Sequence, residues 1–186
     1  MVYIHLADGF EEIEALTVFD LLKRAEIDVN TVSVTGSLTV TAAHGAKIVA
    51  DILFEDADYD DCEMIVLPGG MPGAKNLANH EDLMKKIYAF IDLGKPIAAI
   101  CAAPALVLGA NGILKGKNAT CYPGMIKFLE GSNILSSNVV IDENIITSRG
   151  PATAIDFSLA IIEYLKGKEL QRQIAEDLLY DNLPQA

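Results

Sequence analysis

Lys95-Pro96-Ile97-Ala98-Ala99-Ile100-Cys101-Ala102-Ala103-Pro104-Ala105-Leu106 decides how the rest of this chain is read. Ile97 to Ile100 is a continuous apolar run between breakers, which suits a strand covered on both faces. A helix is expected from about Ala102, so Cys101 falls where strand gives way to helix. The small residues around it (Ala98, Ala99, Ala102, Ala103) let the backbone turn there without side-chain collision. This is the pattern of a nucleophile elbow, with cysteine in place of serine. Two effects at such a junction favour a thiolate: the partial positive charge of a helix N-terminus, and unpaired backbone N–H groups aimed at the sulfur. The spacing therefore predicts a thiol more acidic than a free cysteine. Taken alone, the same residue reads as a small core hydrophobe, which is what most buried cysteines are.

The chain around this stretch has the size and composition of one globular domain, residues 1–186. It is 51% hydrophobic and 22% charged, with a net charge of −12. That charge argues against nucleic acid or an anionic membrane as partner, since both would be repelled. The three cysteines, Cys62, Cys101 and Cys121, form no CxxC pair. No secretory signal is read, so reduced thiols and a cytoplasmic setting are expected. Residues 96 to 114 carry no charge over 19 positions, a run that hydropathy alone would score as a membrane span. Pro104, Asn111, two glycines and the elbow interrupt it, so a strand and a buried helix are expected there instead.

Along the chain, Val2 to Leu6 reads as a strand and Glu11 to Ala25 as a helix, with Ile13, Leu16, Thr17, Phe19, Leu21 and Leu22 at helical spacing. Val29 to Val34 is a second strand. Thr39 to Thr41 and Lys47 to Val49 flank Ala42 to Ala46 as a hairpin outside the main sheet. Asp56 to Asp61 is a solvated acidic connection without the pattern of a calcium loop. Met64 to Leu67 is a buried strand ending in Pro68-Gly69-Gly70-Met71-Pro72-Gly73, and Glu81 to Leu93 is a helix stopped by Gly94. A strand around Ala119 to Tyr122 follows the elbow helix. Asn138 to Ile141 and Asn144 to Thr147 form a hairpin, and helices Ala152 to Leu165 and Leu170 to Tyr180 close the chain. Alternating strands and helices predict an α/β fold with an open, mostly parallel sheet.

In such a sheet, ligands bind beyond the carboxyl ends of the strands, where strand order switches. The turn from Asp8 to Glu14, the Pro68 to Gly73 loop and Cys101 converge there. Gly69 and Gly70 let the backbone approach a ligand, and their amides, with that of Ala102, could bind an oxyanion formed when Cys101 attacks a carbonyl. The same PGGMPG run also reads as an ordinary tight turn; it contains neither GxGxxG nor GK[ST]. Glu14, flanked by Ile13 and Ala15, can be buried near the thiol with a raised pKa, donating a hydrogen bond to a thiolate. A solvated first-turn glutamate is the alternative, and it fits Glu11 and Glu12 better. Of the three histidines, His5 reads as a satisfied core residue, His80 as a cap or surface residue, and His44 as reachable from a pocket or a second subunit. No zinc pattern is present.

Leu6-Ala7-Asp8-Gly9-Phe10-Glu11-Glu12-Ile13-Glu14, Val66-Leu67-Pro68-Gly69-Gly70, Ala98 to Pro104 and Thr147-Ser148-Arg149-Gly150-Pro151 together resemble the ThiJ/PfpI superfamily, most of all its Parkinsonism-associated deglycase branch. The resemblance implies a flavodoxin-like three-layer sandwich and a homodimer. It puts the nucleophile on Cys101, the partner carboxyl on Glu14 and the oxyanion-type amides on Gly69, Gly70 and Ala102. A histidine that many members carry near the cysteine is replaced here, in Cys121-Tyr122-Pro123, by Tyr122, which can donate a hydrogen bond but is a poor base. Ala102 stands where the peptidase-like branch has histidine, which disfavours a cysteine peptidase. Basic pocket positions fall on His44 and Arg24. The implied activity is cofactor-free and metal-free chemistry on small aldehydes such as methylglyoxal, or on glycated protein or nucleotide. An oxidative-stress sensor working through Cys101, or a chaperone, is the alternative.

Overall fold

The computed structural model describes residues 1–180; the last six positions of the expected 1–186 domain lie outside the described residues. Eleven strands and five α-helices form among them. Strands β1 (Val2–Leu6), β2 (Val29–Ser33), β5 (Ile52–Leu53), β6 (Met64–Leu67), β7 (Ile97–Ile100), β10 (Val139–Asp142) and β11 (Ile145–Ser148) make one sheet in the order β10-β11-β7-β6-β1-β2-β5. All its pairings are parallel except β10 with β11. Every residue of β1, β6, β7 and β11 is buried, as expected for central strands covered on both faces.

Helices α1 (Glu12–Arg24), α4 (Ala154–Lys166) and α5 (Lys168–Asp177) cover one face, sharing a core with Ile4, Leu6, Val66 and Ile100. Helices α2 (Gly73–Asn79) and α3 (Glu81–Asp92) cover the other, together with a π-helical segment, Pro104–Gly109. The result is the expected three-layer α/β sandwich. Strand β1 leads outward to β2, and the chain then returns to β6 on the other side of β1. The crevice at the carboxyl ends of β1 and β6 is therefore the switch point.

Several expectations need correction. The helix after the elbow is not a regular α-helix running on from Ala102: Cys101 and Ala102 are a turn, and Pro104–Gly109 is wound as a π-helix, with Ala110 N–H donating to Ala105 O at 2.8 Å. The strand expected at Ala119 to Tyr122 is instead β8 (Asn118–Ala119), which pairs with β9 (Asn133–Ile134) in a separate two-stranded sheet. Helix α1 buries Glu14, Ala15, Val18, Leu21 and Leu22, while Ile13 and Leu16 are 54% and 37% exposed. The apolar positions thus fall on two faces, only one of which packs on the sheet. Strands β3 (Thr39–Thr41) and β4 (Lys47–Val49) form the expected hairpin apart from the main sheet. The uncharged run 96 to 114 is β7 and the π-helical segment, and no helix of the described residues is long and apolar enough to cross a membrane.

Candidate active site

The loop after β1 and the loop after β6 interlock backbone to backbone. Glu11 N–H donates to Gly69 O at 3.1 Å and Gly73 N–H to Gly9 O at 3.1 Å. A Cβ on Gly70 would lie 2.4 Å from Glu11 N, and one on Gly69 would lie 2.6 Å from Cys101 Cβ and 2.7 Å from a Glu14 carboxyl oxygen. Only glycine fits so close an approach, and at Gly70 the backbone is also left-handed, at φ +86°. This contact brings the first turn of α1 under the loop and sets Glu14 on its core-facing side.

Cys101 itself adopts φ +66°, an uncommon conformation for a residue with a Cβ and one characteristic of strained functional turns. The backbone is clamped on both sides: Cys101 N–H donates to Ser148 O at 2.9 Å, and Tyr122 N–H donates to Cys101 O at 2.8 Å. Nothing in the residue types of Ser148 or Tyr122 announces this role, because both act through the main chain. The elbow leaves Cys101 half-buried, whereas Cys62 and Cys121 are buried.

Glu14 is fully buried. Its Oε2 accepts the Gly69 N–H at 2.7 Å, while Oε1 has no hydrogen-bond partner. The carboxyl lies beside the Cys101 thiol, close enough for the two to influence each other's protonation. Burial pushes the acid up to about 7, against the opposing pull of the Gly69 amide. Burial, and then the ionised Glu14 carboxylate, push the Cys101 thiol up to about 12, with the Gly70 and Ala102 amides pulling the other way. The elbow by itself therefore does not make an acidic thiol, which corrects the sequence-based expectation. Acidity depends on where one proton sits. With Glu14 ionised, its charge opposes a thiolate. With Glu14 protonated, the same contact becomes an O–H donor to sulfur and favours one. The two groups act as a coupled pair.

The three amides expected to hold an oxyanion divide into two roles. Those of Gly70 and Ala102 point at the sulfur, but that of Gly69 is committed to Glu14. Glu11, expected to be solvated, is 8% exposed. His44 is exposed on the hairpin and hydrogen-bonds Glu12 at 2.9 Å; that carboxylate holds the imidazolium above its ordinary range. Donor atoms of Glu11, Glu12 and His44 lie within 4.8 Å of one another, the one such group among the described residues. Arg24 is exposed, pairs with Asp20 at 2.7 Å and sits ten residues beyond Glu14, at the far end of α1. At 1.5 Å per residue that is about 15 Å along the axis, so Arg24 is not brought to this chain's own site. Tyr122 stands at the mouth, 48% exposed. His80 caps α3, accepting the Leu83 N–H at 3.1 Å. His5 shares a 2.6 Å hydrogen bond with the Tyr59 hydroxyl, but its Nδ1 has no partner, so it is a core histidine satisfied on one side only.

Residues 1–164 match the DJ-1/PfpI family. The chain is 41% identical over 178 residues to protein DJ-1 homolog B of Arabidopsis thaliana, a match covering 96% of this chain and 41% of that protein. It spans less than half the length of that relative. It is 36% identical over 171 residues to the glutathione-independent glyoxalase DJR-1.2 of Caenorhabditis elegans, covering 90% of this chain and 89% of that one. The solved structure of Toxoplasma gondii DJ-1, oxidized, superposes with a TM-score of 0.93 at 37% identity, covering 97% of this chain and 98% of that one.

Proposed function

This chain belongs to the DJ-1/PfpI family, and from that premise we propose that it is a cofactor-free enzyme that uses Cys101 to convert small reactive carbonyls such as methylglyoxal. The observation that carries the reading is the buried Glu14 carboxyl, set against the thiol with one oxygen unpartnered. A proton carrier near neutrality is what the rearrangement of an α-oxoaldehyde needs. The glyoxalase name of the Caenorhabditis elegans relative supports the same chemistry.

The Cys101 sulfur adds to the aldehyde carbon, and the aldehyde oxygen takes the proton that Glu14 holds, giving a hemithioacetal. The Gly70 and Ala102 amides, which face the sulfur, stabilise charge on that oxygen as it develops. The Glu14 carboxylate then removes the hydrogen on the former aldehyde carbon, the hydroxyl proton passes to the ketone oxygen through the enediol, and the carbon-bound proton is returned to the neighbouring carbon. One carbon is oxidised to a thioester and the other reduced to an alcohol, so no external oxidant is required. Water cleaves the C–S bond, releasing lactate and restoring the thiol. Enzymatic D-lactate formation from methylglyoxal should be present in wild type and absent in Cys101→Ser; equal rates in the two would remove the nucleophile from this reading.

A second reading, a sensor oxidised at Cys101, is favoured by the same two amides and the Glu14 carboxyl, which suit the oxygens of a sulfinate. We also propose that the chain is a cytoplasmic homodimer. Ile13 and Leu16 of α1 and Val49 of β4, the last 70% exposed, are apolar side chains left uncovered by this chain, and sedimentation velocity reads the outcome directly.

A further inference from the structure

A cleft of about 330 Å³ that the proposed chemistry leaves unused is lined by Tyr122, Pro123, Asn138, Arg149, Gly150 and Pro151 among others. Its connection to Cys101 runs through the main chain. Tyr122 and Ser148 are the two residues whose backbones clamp Cys101, and Arg149 follows Ser148. We propose that this cleft is a carboxylate-accepting subsite, in which Arg149 holds the acid group of a carbonyl substrate while the Tyr122 and Pro151 walls hold the chain between the acid and the reacting carbon. The proposal rests on the carbonyl reading of Cys101 and adds to it a class of substrate: oxoaldehydes that carry a carboxylate several bonds from the aldehyde.

Three observations support it. Arg149 is half-buried, yet no carboxylate among the described residues pairs with it; its guanidinium makes a single long hydrogen bond, NH1 to Ser136 O at 3.3 Å. The carboxylate behind the cleft, Asp156, is already taken, accepting from Asn138 Nδ2 at 2.8 Å and from the Tyr180 hydroxyl. A guanidinium left with most of its donors unspent beside an apolar wall is the arrangement that recognises a planar anion through a two-pronged contact. Second, the loop that presents Arg149 is braced. Thr153 Oγ1 donates to Gly150 O at 2.9 Å and lies 2.7 Å from Ser148 Oγ. Third, the wall is built for an apolar spacer: a Cβ on Gly150 would stand 3.5 Å from the Tyr122 ring, so the ring lies close over the backbone that carries Arg149. One guanidinium matches the single charge of a carboxylate. Pro151 has no N–H to offer, so the turn supplies few further donors for a phosphate dianion.

The test uses the full-length protein and requires no turnover. Second-order rates of Cys101 alkylation are measured with 4-maleimidobutyrate and with its uncharged methyl ester, each normalised to its rate with 2-mercaptoethanol, and the modified cysteine is identified by peptide mass mapping. In wild type the acid should react faster than the ester, even though the chain's net charge of −12 repels it. A ratio of one or below overturns the subsite without any variant. In Arg149→Gln the ratio should fall by about tenfold, the scale of one charge-assisted hydrogen bond, while the ester's rate stays within about twofold; an unchanged ratio overturns the proposal. Because each ratio is taken within one protein, a change in thiolate fraction cancels. A preference for the acid alongside no lactate from methylglyoxal would remove the enzyme reading and leave the subsite standing. Lactate formation without the preference would remove the subsite alone.

Discussion

Replacing Glu14 with glutamine separates what this residue does for stability from what it does for chemistry, and the two effects have opposite signs. The amide keeps an oxygen to accept the Gly69 N–H, made at 2.7 Å in wild type, and offers an N–H toward the sulfur. It cannot move a proton. Proton transfer by a placed side chain contributes roughly 10²–10⁴-fold, so Glu14→Gln should lose at least about two orders of magnitude in methylglyoxal turnover. Stability follows from the raised pKa. In the fold the carboxyl titrates at about 7 against an ordinary 4.5, so the native state binds this proton more tightly than the unfolded chain. The resulting stabilisation is fully present below pH 4.5 and is lost as pH rises through 7. Over that interval it amounts to about 3 kcal/mol. Glutamine has no such loss, so Glu14→Gln should equal wild type near pH 5 and exceed it by up to about 3 kcal/mol near pH 9. Urea denaturation between pH 5 and 9, run beside lactate assays on the same preparations, reads both. Turnover surviving within tenfold would hand the proton to Tyr122, His44 or water. The absence of any stability gain above pH 7 would mean that the carboxyl is not held in its neutral form by burial.

Gly69→Ala places a Cβ 2.6 Å from Cys101 Cβ and 2.7 Å from a Glu14 oxygen, so the pair must separate; since a misplacement of about 1 Å can cost about 10²-fold, turnover should fall on that scale with far-ultraviolet circular dichroism unchanged, and full activity would show that their contact is dispensable. Graded peroxide should oxidise the half-buried Cys101 before Cys62 or Cys121, which are buried out of its reach; peptide mapping that finds either of those first would refute the assignment. Burial pushes the His5 imidazole down to about 3, so the native state resists its protonation, and stability present above pH 6.5 is lost at about 1.4 kcal/mol per pH unit as pH falls below that value. His5→Phe should flatten that acid limb in denaturation measurements, and identical slopes would exclude His5 as the group responsible.

The legible parts of this molecule are those in which one residue's surroundings follow from its immediate neighbours. Strands β6 and β7 read correctly because burial on both faces leaves an uninterrupted apolar run, and β1 reads correctly because only His5 interrupts one. Glu14 stood out because a charged residue between Ile13 and Ala15 must either leave the helix's packed face or be buried on it. The helix Gly73–Asn79 was missed because it is short and opens on glycine directly after a loop of prolines and glycines. The two-residue strands β5, β8 and β9 are held by pairing rather than by any pattern of their own. The π-helical winding after Cys101 depends on backbone hydrogen bonds to the fifth residue back, which side-chain identity does not encode.

The errors at the site have a common physical origin, and it concerns the sharing of donors. The sequence identifies three amides near Cys101 but cannot tell which of them a neighbouring side chain has already claimed. Gly69 is spent on Glu14, and that bond fixes the carboxyl so that its other oxygen faces no donor. The thiol is then not governed by the helix end, as residue order alone suggests. It is governed by a proton on a carboxyl contributed from 87 positions earlier in the chain, the separation of Glu14 and Cys101. An amide field is fixed once the backbone is built, whereas a shared proton can move. The arrangement therefore gives the site two electrostatic states at one geometry, a carboxylate beside a thiol and a carboxylic acid beside a thiolate. With Glu14 titrating at about 7, the carboxyl is present in both its forms near neutrality, and reversible addition to a carbonyl draws on both.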